Sequence, residues 1–318
     1  MWGAPSRVAL AGTTDELEAS EEELPTTPVA AAPDAADLPS PMDALPAGAT
    51  LGSLVHGVLE HADPDAPDLL VELELRVEQE RRWWAVETPT PELAAALLPS
   101  QHTPLGPLAG ERTLAQVPMR DRLRELDFEI PLAGGDRPGA SVPLAAMAGA
   151  LRRHLPVDDP MRPYADRLEV PALGEQLLRG YLSGSIDVVL RIGDGAEQRF
   201  VVVDYKTNRL GEPGAAITAL DYAPAALDAA MLHSHYTLQA LLYSVVLHRY
   251  LRWRLPGYDP EVHLGGVLYL YLRGLCGPET PRVDGVPCGV FSWRPPAALV
   301  VELSELLDGR PRSAEGAP

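Results

Sequence analysis

Asp204-Tyr205-Lys206 closes an apolar run that begins at Arg199 (RFVVVDYKT, Arg199 to Thr207). In an extended strand, side chains two residues apart share a face, so Asp204 and Lys206 project together from the strand's exit. A second acid, Asp187, stands between Ile186 and Val188 in Gly180 to Ile192 (GYLSGSIDVVLRI). A lone carboxylate in such an apolar strand is expensive to bury. Two carboxylates held side by side repel, and a divalent cation removes that conflict. Oxygen ligands with a retained water shell suit Mg²⁺. An ammonium next to the ion could orient an attacking water or stabilise the charge on a pentacovalent phosphate. The bland alternative is a buried Asp204–Lys206 ion pair with Asp187 as a turn residue, since a bare D-x-K string is common. Three features weigh against it: the string follows a buried strand, a second acid stands on the expected hairpin mate, and the lysine is alone of its kind. Lys206 is the single lysine among 26 basic residues, the other 25 being arginine. A lysine kept where arginine is the rule suggests a site at which the two are not interchangeable.

The elements that must position these residues follow from spacing. Gly193-Asp194-Gly195-Ala196 predicts a hairpin turn between the two strands, which sets Asp187 beside Asp204. Val201-Val202-Val203 is the kind of run buried on both faces of a sheet. Leu51, Leu54, Val55, Val58 and Leu59 repeat at helical spacing. A second helix is expected over Asp68 to Val86, and residues 88 to 118, rich in Pro and Gly, as irregular chain. Leu126 to Leu132 reads as a strand, Pro143 to Leu155 as a short amphipathic helix, and residues 156 to 175 as irregular. Leu227 to Leu255 is the longest helical pattern, Leu264 to Leu272 a buried strand and Ala297 to Leu307 a last helix. The order predicts a mixed α/β domain over 51 to 309. Residues 1 to 50 carry nine acids against one base, Arg7, with 12 Ala and 7 Pro, and are expected to form a disordered acidic linker or an interaction tail. Residues 310 to 318 read as a disordered tail.

Composition excludes several classes. A net charge of −19 rules out a generic polyanion binder, although local basic patches remain open. Two cysteines, Cys276 and Cys288, cannot build a four-cysteine zinc site, an iron–sulfur cluster or a secreted disulfide framework. No run of about 18 apolar residues is present, so no membrane span is expected. The first ten residues lack the pattern of a signal peptide, and a cytoplasmic protein is expected.

Five stretches, in order, resemble the successive motifs of RecB-type nucleases: GSLVHGVLE (Gly52 to Glu60), RELDFEIP (Arg124 to Pro131), GSIDVV (Gly184 to Val189), VDYKTN (Val203 to Asn208) and YTLQALLY (Tyr236 to Tyr243). HRYLR (His248 to Arg252) and GGVLYLYLRG (Gly265 to Gly274) fit the nuclease domain of exodeoxyribonuclease V beta subunits in particular. The resemblance spans residues 51 to 309 and implies a restriction-endonuclease-like PD-(D/E)XK core, a mixed central sheet flanked by helices. It implies that His56, Asp187 and Asp204 hold Mg²⁺, one ion or two, with the Tyr205 backbone carbonyl as a further ligand. Glu125 would be an additional active-site acid, Lys206 the catalytic lysine, and Tyr236, Gln239 and Tyr243 a substrate-facing wall. Implied partners are DNA single strands from a processed duplex end and the gamma and alpha subunits of the complex, in double-strand-break repair and recombination.

The residues themselves leave alternatives open. His56 sits on a helix whose other face is Leu and Val, where a core or cap role is common. Glu125, beside Arg122 and Arg124, could make a surface ion pair. Tyr236, Gln239 and Tyr243 share a helix face that could simply pack. Arg120-Arg122-Arg124, and Arg249-Arg252-Arg254 with Tyr250 and Trp253 between them, could meet phosphates or complement a helix dipole. No G-x-x-x-x-G-K-[ST] exists, so no P-loop ATPase is expected here. That suggests a split or truncated product with residues 1 to 50 as a remnant tether. The competing function is a non-catalytic docking module or inactive fragment of the beta subunit. A stand-alone junction resolvase is the third option.

Overall fold

The computed structural model describes residues 7–9, 37–133 and 141–309. Five strands form one mixed sheet: β1 (Arg122–Pro131), β2 (Tyr181–Ile192), β3 (Arg199–Lys206), β4 (Leu264–Tyr271) and β5 (Val290–Trp293), hydrogen-bonded in that order. The β1–β2 and β2–β3 pairs are antiparallel, β3 and β4 are parallel, and β5 returns antiparallel on β4. A three-residue strand, Arg7–Ala9, adds parallel to the start of β2. Three helices cover one face: α1 (Ala49–His61), α2 (Leu69–Glu80) and α3 (Thr90–His102). On the other face lie α4 (Ala146–His154), α5 (Pro224–His233), α6 (Tyr236–Arg254) and α7 (Ala297–Leu307).

Strand alternation sorts β3 between these two layers. Val201, Val203 and Tyr205 pack towards α1–α3, and Val202 towards α6. Asp204 and Lys206 therefore share the α6 face, as their spacing predicts. The strand is buried on both sides because helices cover both faces, as is usual where strands pair in parallel. The parallel β3–β4 pair in turn requires a crossover, which α5 and α6 supply.

Several expectations are corrected. Residues 88 to 118 are not irregular throughout: Thr90–His102 is helical. Pro91 falls in its first turn, where no amide hydrogen is needed, and Pro99 in its last. Leu93, Ala94 and Leu97 supply its buried face. The single helix expected over Leu227 to Leu255 is two, broken at Ser234-His235 with His235 at φ +58. The break lets α6 start in a new direction with Tyr236 in its first turn. Strand β5 had no clear signal in the sequence. The linker expected over 1 to 50 is corrected for its last part: Met42 and Leu45 are buried, and α1 already starts at Ala49. Residues 10–36 and 310–318 lie outside the described ones. Among the described residues no helix is long and apolar enough to cross a membrane.

Close packing beyond the exit of β4 makes one firm prediction. Gly289 has φ +76, and a Cβ there would sit 2.8 Å from the Gly274 carbonyl carbon and 2.6 Å from Leu275 Cδ2. Gly289→Ala adds a strained backbone and an overlap that main chain cannot relieve, and is expected to cost about 3 kcal/mol. Urea unfolding of the two proteins measures it, and a loss below about 0.5 kcal/mol would contradict the packing described.

Candidate active site

The two predicted acids meet where β2 and β3 part. Their last pair is Val188 with Val203, and the next register position would set Asp187 opposite Asp204. There β2 changes layer. Leu182 and Ile186 pack towards α6, but Val188, Leu190 and Ile192 pack towards α1–α3. Strict alternation would keep all five on one face, so the strand turns at Asp187. Across the ladder, β1 turns at the same point. Arg124 pairs with Val188 and Leu126 with Ile186, while Glu125, between them, has φ +45. A non-glycine residue in that region is uncommon and strained. The irregularity delivers Glu125 and Asp187 to the same place.

Asp187 stands in for the missing ladder bond. Its Oδ2 accepts the Tyr205 backbone N–H at 2.7 Å, and its Oδ1 lies 3.3 Å from His56 Nδ1. His56 projects from α1 beside the stripe of Leu54, Val55, Val58 and Leu59, with its ring edge-on to Tyr205 at 6.1 Å. The Lys206 Nζ lies 2.8 Å from Asp204 Oδ2. It also lies 4.2 Å from the centre of the Tyr236 ring and 5.5 Å from that of Tyr269. Tyr269 is the β4 residue in register with Asp204. The ammonium is thus held by one carboxylate and two aromatic rings.

Electrostatics follow from this pairing. Burial and Asp187 push the Asp204 carboxyl up to about 6, against the pull of Lys206. Burial works against the His56 imidazolium, but Asp187 and Asp204 outweigh it and raise its pKa to about 9. Burial would raise Asp187, yet His56 and the Tyr205 N–H hold it below the ordinary carboxylate range. Lys206 is buried but is raised by Asp204. Each buried anion therefore has a cation of the chain beside it. Among the described residues no three His, Cys, Asp or Glu side chains form a ready-made metal cage. The carboxylates turn instead to His56 and Lys206. The donor set nonetheless fits a hard cation. It offers the buried Asp204 and half-buried Asp187 carboxylates, and the His56 Nε2 atom is buried with no hydrogen-bond partner.

The remaining expectations divide. Glu125 is exposed as a residue, but partial burial of its carboxyl group, with Glu60 and Asp187 nearby, raises its pKa. The wall expected from Tyr236, Gln239 and Tyr243 is corrected, for they are 4%, 4% and 1% exposed. Gln239 donates to the Tyr243 hydroxyl at 3.1 Å and accepts from Tyr269 at 3.0 Å, and Tyr236 donates to Asn208 Oδ1 at 3.3 Å. These residues brace Lys206 and Tyr269 rather than face solvent. Most of the predicted arginine patches are also accounted for internally. Arg122 donates to the Val117 and Leu114 carbonyls, Arg124 to the Glu60 carbonyl, and Arg249 to Ser304, Pro131 and Asp308. Arg252, Trp253 and Arg254 stay exposed, with Arg254 over the Trp253 ring at 4.9 Å. Two site residues escaped the sequence reasoning. Glu60 follows His56 by one helical turn and so shares its side of α1, a spacing that was available as a signal. Tyr269 had none, because in LGGVLYLYL it reads as one more core residue.

Comparison with known proteins agrees with this geometry. Residues 31–287 match the PD-(D/E)XK nuclease superfamily. The chain is 58% identical over 300 residues to the RecBCD enzyme subunit RecB of Mycolicibacterium smegmatis, covering 93% of this chain and 27% of that protein. It is 58% identical over 309 residues to the same subunit of Mycobacterium tuberculosis, covering 95% of this chain and 27% of that one. Against the Escherichia coli subunit the figures are 35% over 269 residues, 83% and 19%. The chain thus spans about a quarter of the length of the mycobacterial relatives it matches. By this match, and by a mixed sheet whose two diverging strands bring Asp187, Asp204 and Lys206 together, the chain belongs to the PD-(D/E)XK nuclease superfamily.

Proposed function

We propose that the chain is the nuclease domain of a RecBCD-type exodeoxyribonuclease V, hydrolysing DNA phosphodiester bonds with water as the nucleophile. The observation that carries this is the meeting of two carboxylates, an imidazole and the chain's only lysine at one sheet exit. His56, Asp187 and Asp204, with the Tyr205 carbonyl, would hold Mg²⁺, as one ion or two. When bound, such an ion supplies positive charge that makes water a better nucleophile and offsets charge on the phosphate. The chain's residues do the rest. Lys206 lies beside Asp204, where its ammonium can meet a phosphate oxygen or orient water. Glu125, exposed at the bend of β1, can take a proton or steer water. Tyr236, Gln239, Tyr243 and Tyr269 hold Lys206 still.

The relatives are named as one subunit of the RecBCD enzyme; we infer for this chain assembly with partner subunits, the gamma and alpha subunits of such a complex, cytoplasmic action at double-strand breaks, and single strands from a processed end as substrate. The charge of −19 favours that arrangement, since an isolated acidic chain binds DNA weakly and gains from partners that deliver it. The test is end-labelled single-stranded DNA with Mg²⁺, first with the purified chain and then with its partner subunits. Cleavage is expected to require the ion and to fall at least about 1,000-fold in Asp204→Ala. Cleavage unchanged in both Asp204→Ala and Lys206→Ala would overturn the assignment. A chain that neither cleaves nor gains thermal stability with Mg²⁺ or Mn²⁺ would instead be a docking module.

A further inference from the structure

Arg273 is fully buried, yet its hydrogen-bond partners are main-chain carbonyls. Nε donates to Thr207 at 2.8 Å, Nη1 to Met42 at 2.7 Å and Leu45 at 3.2 Å, and Nη2 to Pro46. Thr207 directly follows Lys206, whose register partner Tyr271 is the last residue of β4. Beyond that pair the sheet gives Thr207 no ladder, and a buried carbonyl needs a donor. Arg273, two residues past Tyr271, supplies it. A guanidinium has five donors in a fixed fork and can bridge carbonyls of two separate segments, which an ammonium on a flexible stem does poorly.

The other end of the bridge is residues 38–46, which strap the loop that leaves β3. Asp43 Oδ1 accepts the Ile217 N–H at 2.8 Å and lies 3.3 Å from an Arg209 nitrogen. Ser40 donates to the Ile217 carbonyl at 3.0 Å, and Ala219 to that of Leu38 at 2.8 Å. Tyr222, from the same loop, donates to the Asn208 carbonyl at 3.0 Å, and Asn208 in turn accepts from Tyr236. A continuous set of bonds thus runs from the strap through Arg273 to the residue after Lys206, and through Asn208 to the ring beneath it.

We propose that Arg273 is a positioning residue for Lys206: it clamps the Thr207 carbonyl to the 42–46 strap and so holds the ammonium between Asp204, Tyr236 and Tyr269. The importance of that placement for catalysis rests on the nuclease function proposed above; the placement itself does not. Because Lys206 is the chain's only lysine, its ammonium can be followed alone by amine acetylation and mass spectrometry. In folded Arg273→Met, Lys206 is expected to acetylate at least about 10-fold faster than in the wild type. A misplacement of about 1 Å is worth about 100-fold in rate, so kcat should fall by about 10- to 100-fold with KM changed less than about threefold. Arg273→Lys should recover only part of either. Leu151→Ala, a core change in α4, controls for lost stability: it should lower Tm without a comparable rise in Lys206 acetylation. Should Arg273→Met not fold, Asp43→Ala loosens the strap from its solvent side and is expected to raise acetylation about threefold. Acetylation within the error of wild type in folded Arg273→Met, or in Asp43→Ala where only that variant folds, overturns the inference. A wild-type chain without nuclease activity both alone and with its partner subunits, but with the expected acetylation pattern, would refute the proposed function and leave the positioning role standing.

Discussion

Lys206→Arg is expected to lose DNA hydrolysis at least about 100-fold although it keeps the positive charge. The reason is shape. The ammonium fits between Asp204 Oδ2 at 2.8 Å and the faces of Tyr236 and Tyr269 at 4.2 and 5.5 Å from their centres. A guanidinium is wider and planar, and it seeks paired acceptors. Tyr236, Tyr269 and Asp204 are all buried, so the pocket cannot open outward without moving β4 or α6. The larger group must displace Asp204 or tilt away from it, and either moves the charge off the reacting centre. Mg²⁺-dependent release of label from single-stranded DNA is the measurement, with circular dichroism to establish folding. Rates within twofold of the wild type would show that charge alone is what the position needs.

The second large effect concerns Asp187. Asp187→Ala is expected to abolish both cleavage and the stabilisation of the chain by Mg²⁺ or Mn²⁺. At 100 times its dissociation constant a ligand stabilises the folded state by about 2.7 kcal/mol, which raises Tm by about 5 °C in a chain of this size. That rise should be present in the wild type and absent in the variant. The metal-free variant should also melt lower, because the buried Tyr205 N–H loses its acceptor and His56 its counter-charge. An unsatisfied buried donor costs about 1–3 kcal/mol. Asp204→Ala provides the contrast: it leaves the Tyr205 bond intact but strips the carboxylate from Lys206. A full metal-dependent rise in Asp187→Ala would remove Asp187 from the ion's ligands.

Much of this site could be read along the chain because its parts obey local rules. Asp204 and Lys206 share a face by strand periodicity, and Asp187 reaches Asp204 through the short connection between Ile192 and Arg199. The apolar stripe of α1 identifies that helix, and Ala297–Leu307 begins and ends where its pattern does. Where composition misled, backbone chemistry explains it. Proline marks residues 88 to 118 as irregular, yet Pro91 sits in the first turn of α3, where its missing amide is tolerated, and Pro99, in the last turn, costs a single helical hydrogen bond. Alanine, proline and acid mark residues 37–50 as linker, yet Met42 and Leu45 find a core and Arg273 finds their carbonyls. No local rule announces a partner 227 residues away.

The amino-acid order by itself determined which residues carry the chemistry: a pair of acids, one lysine and one imidazole, with strand period setting Asp204 and Lys206 on one face. The tertiary structure alone decided what surrounds them. Glu125 and Asp187 meet because two strands turn together at one rung, Tyr269 joins because β4 lies in parallel register with β3, and Tyr236 joins because a helix breaks at His235. Periodicity is a property of neighbours along the chain and survives in the sequence. Register, strand divergence and the satisfaction of buried carbonyls depend on segments that meet only after folding, and no short stretch of sequence contains both members of such a pair.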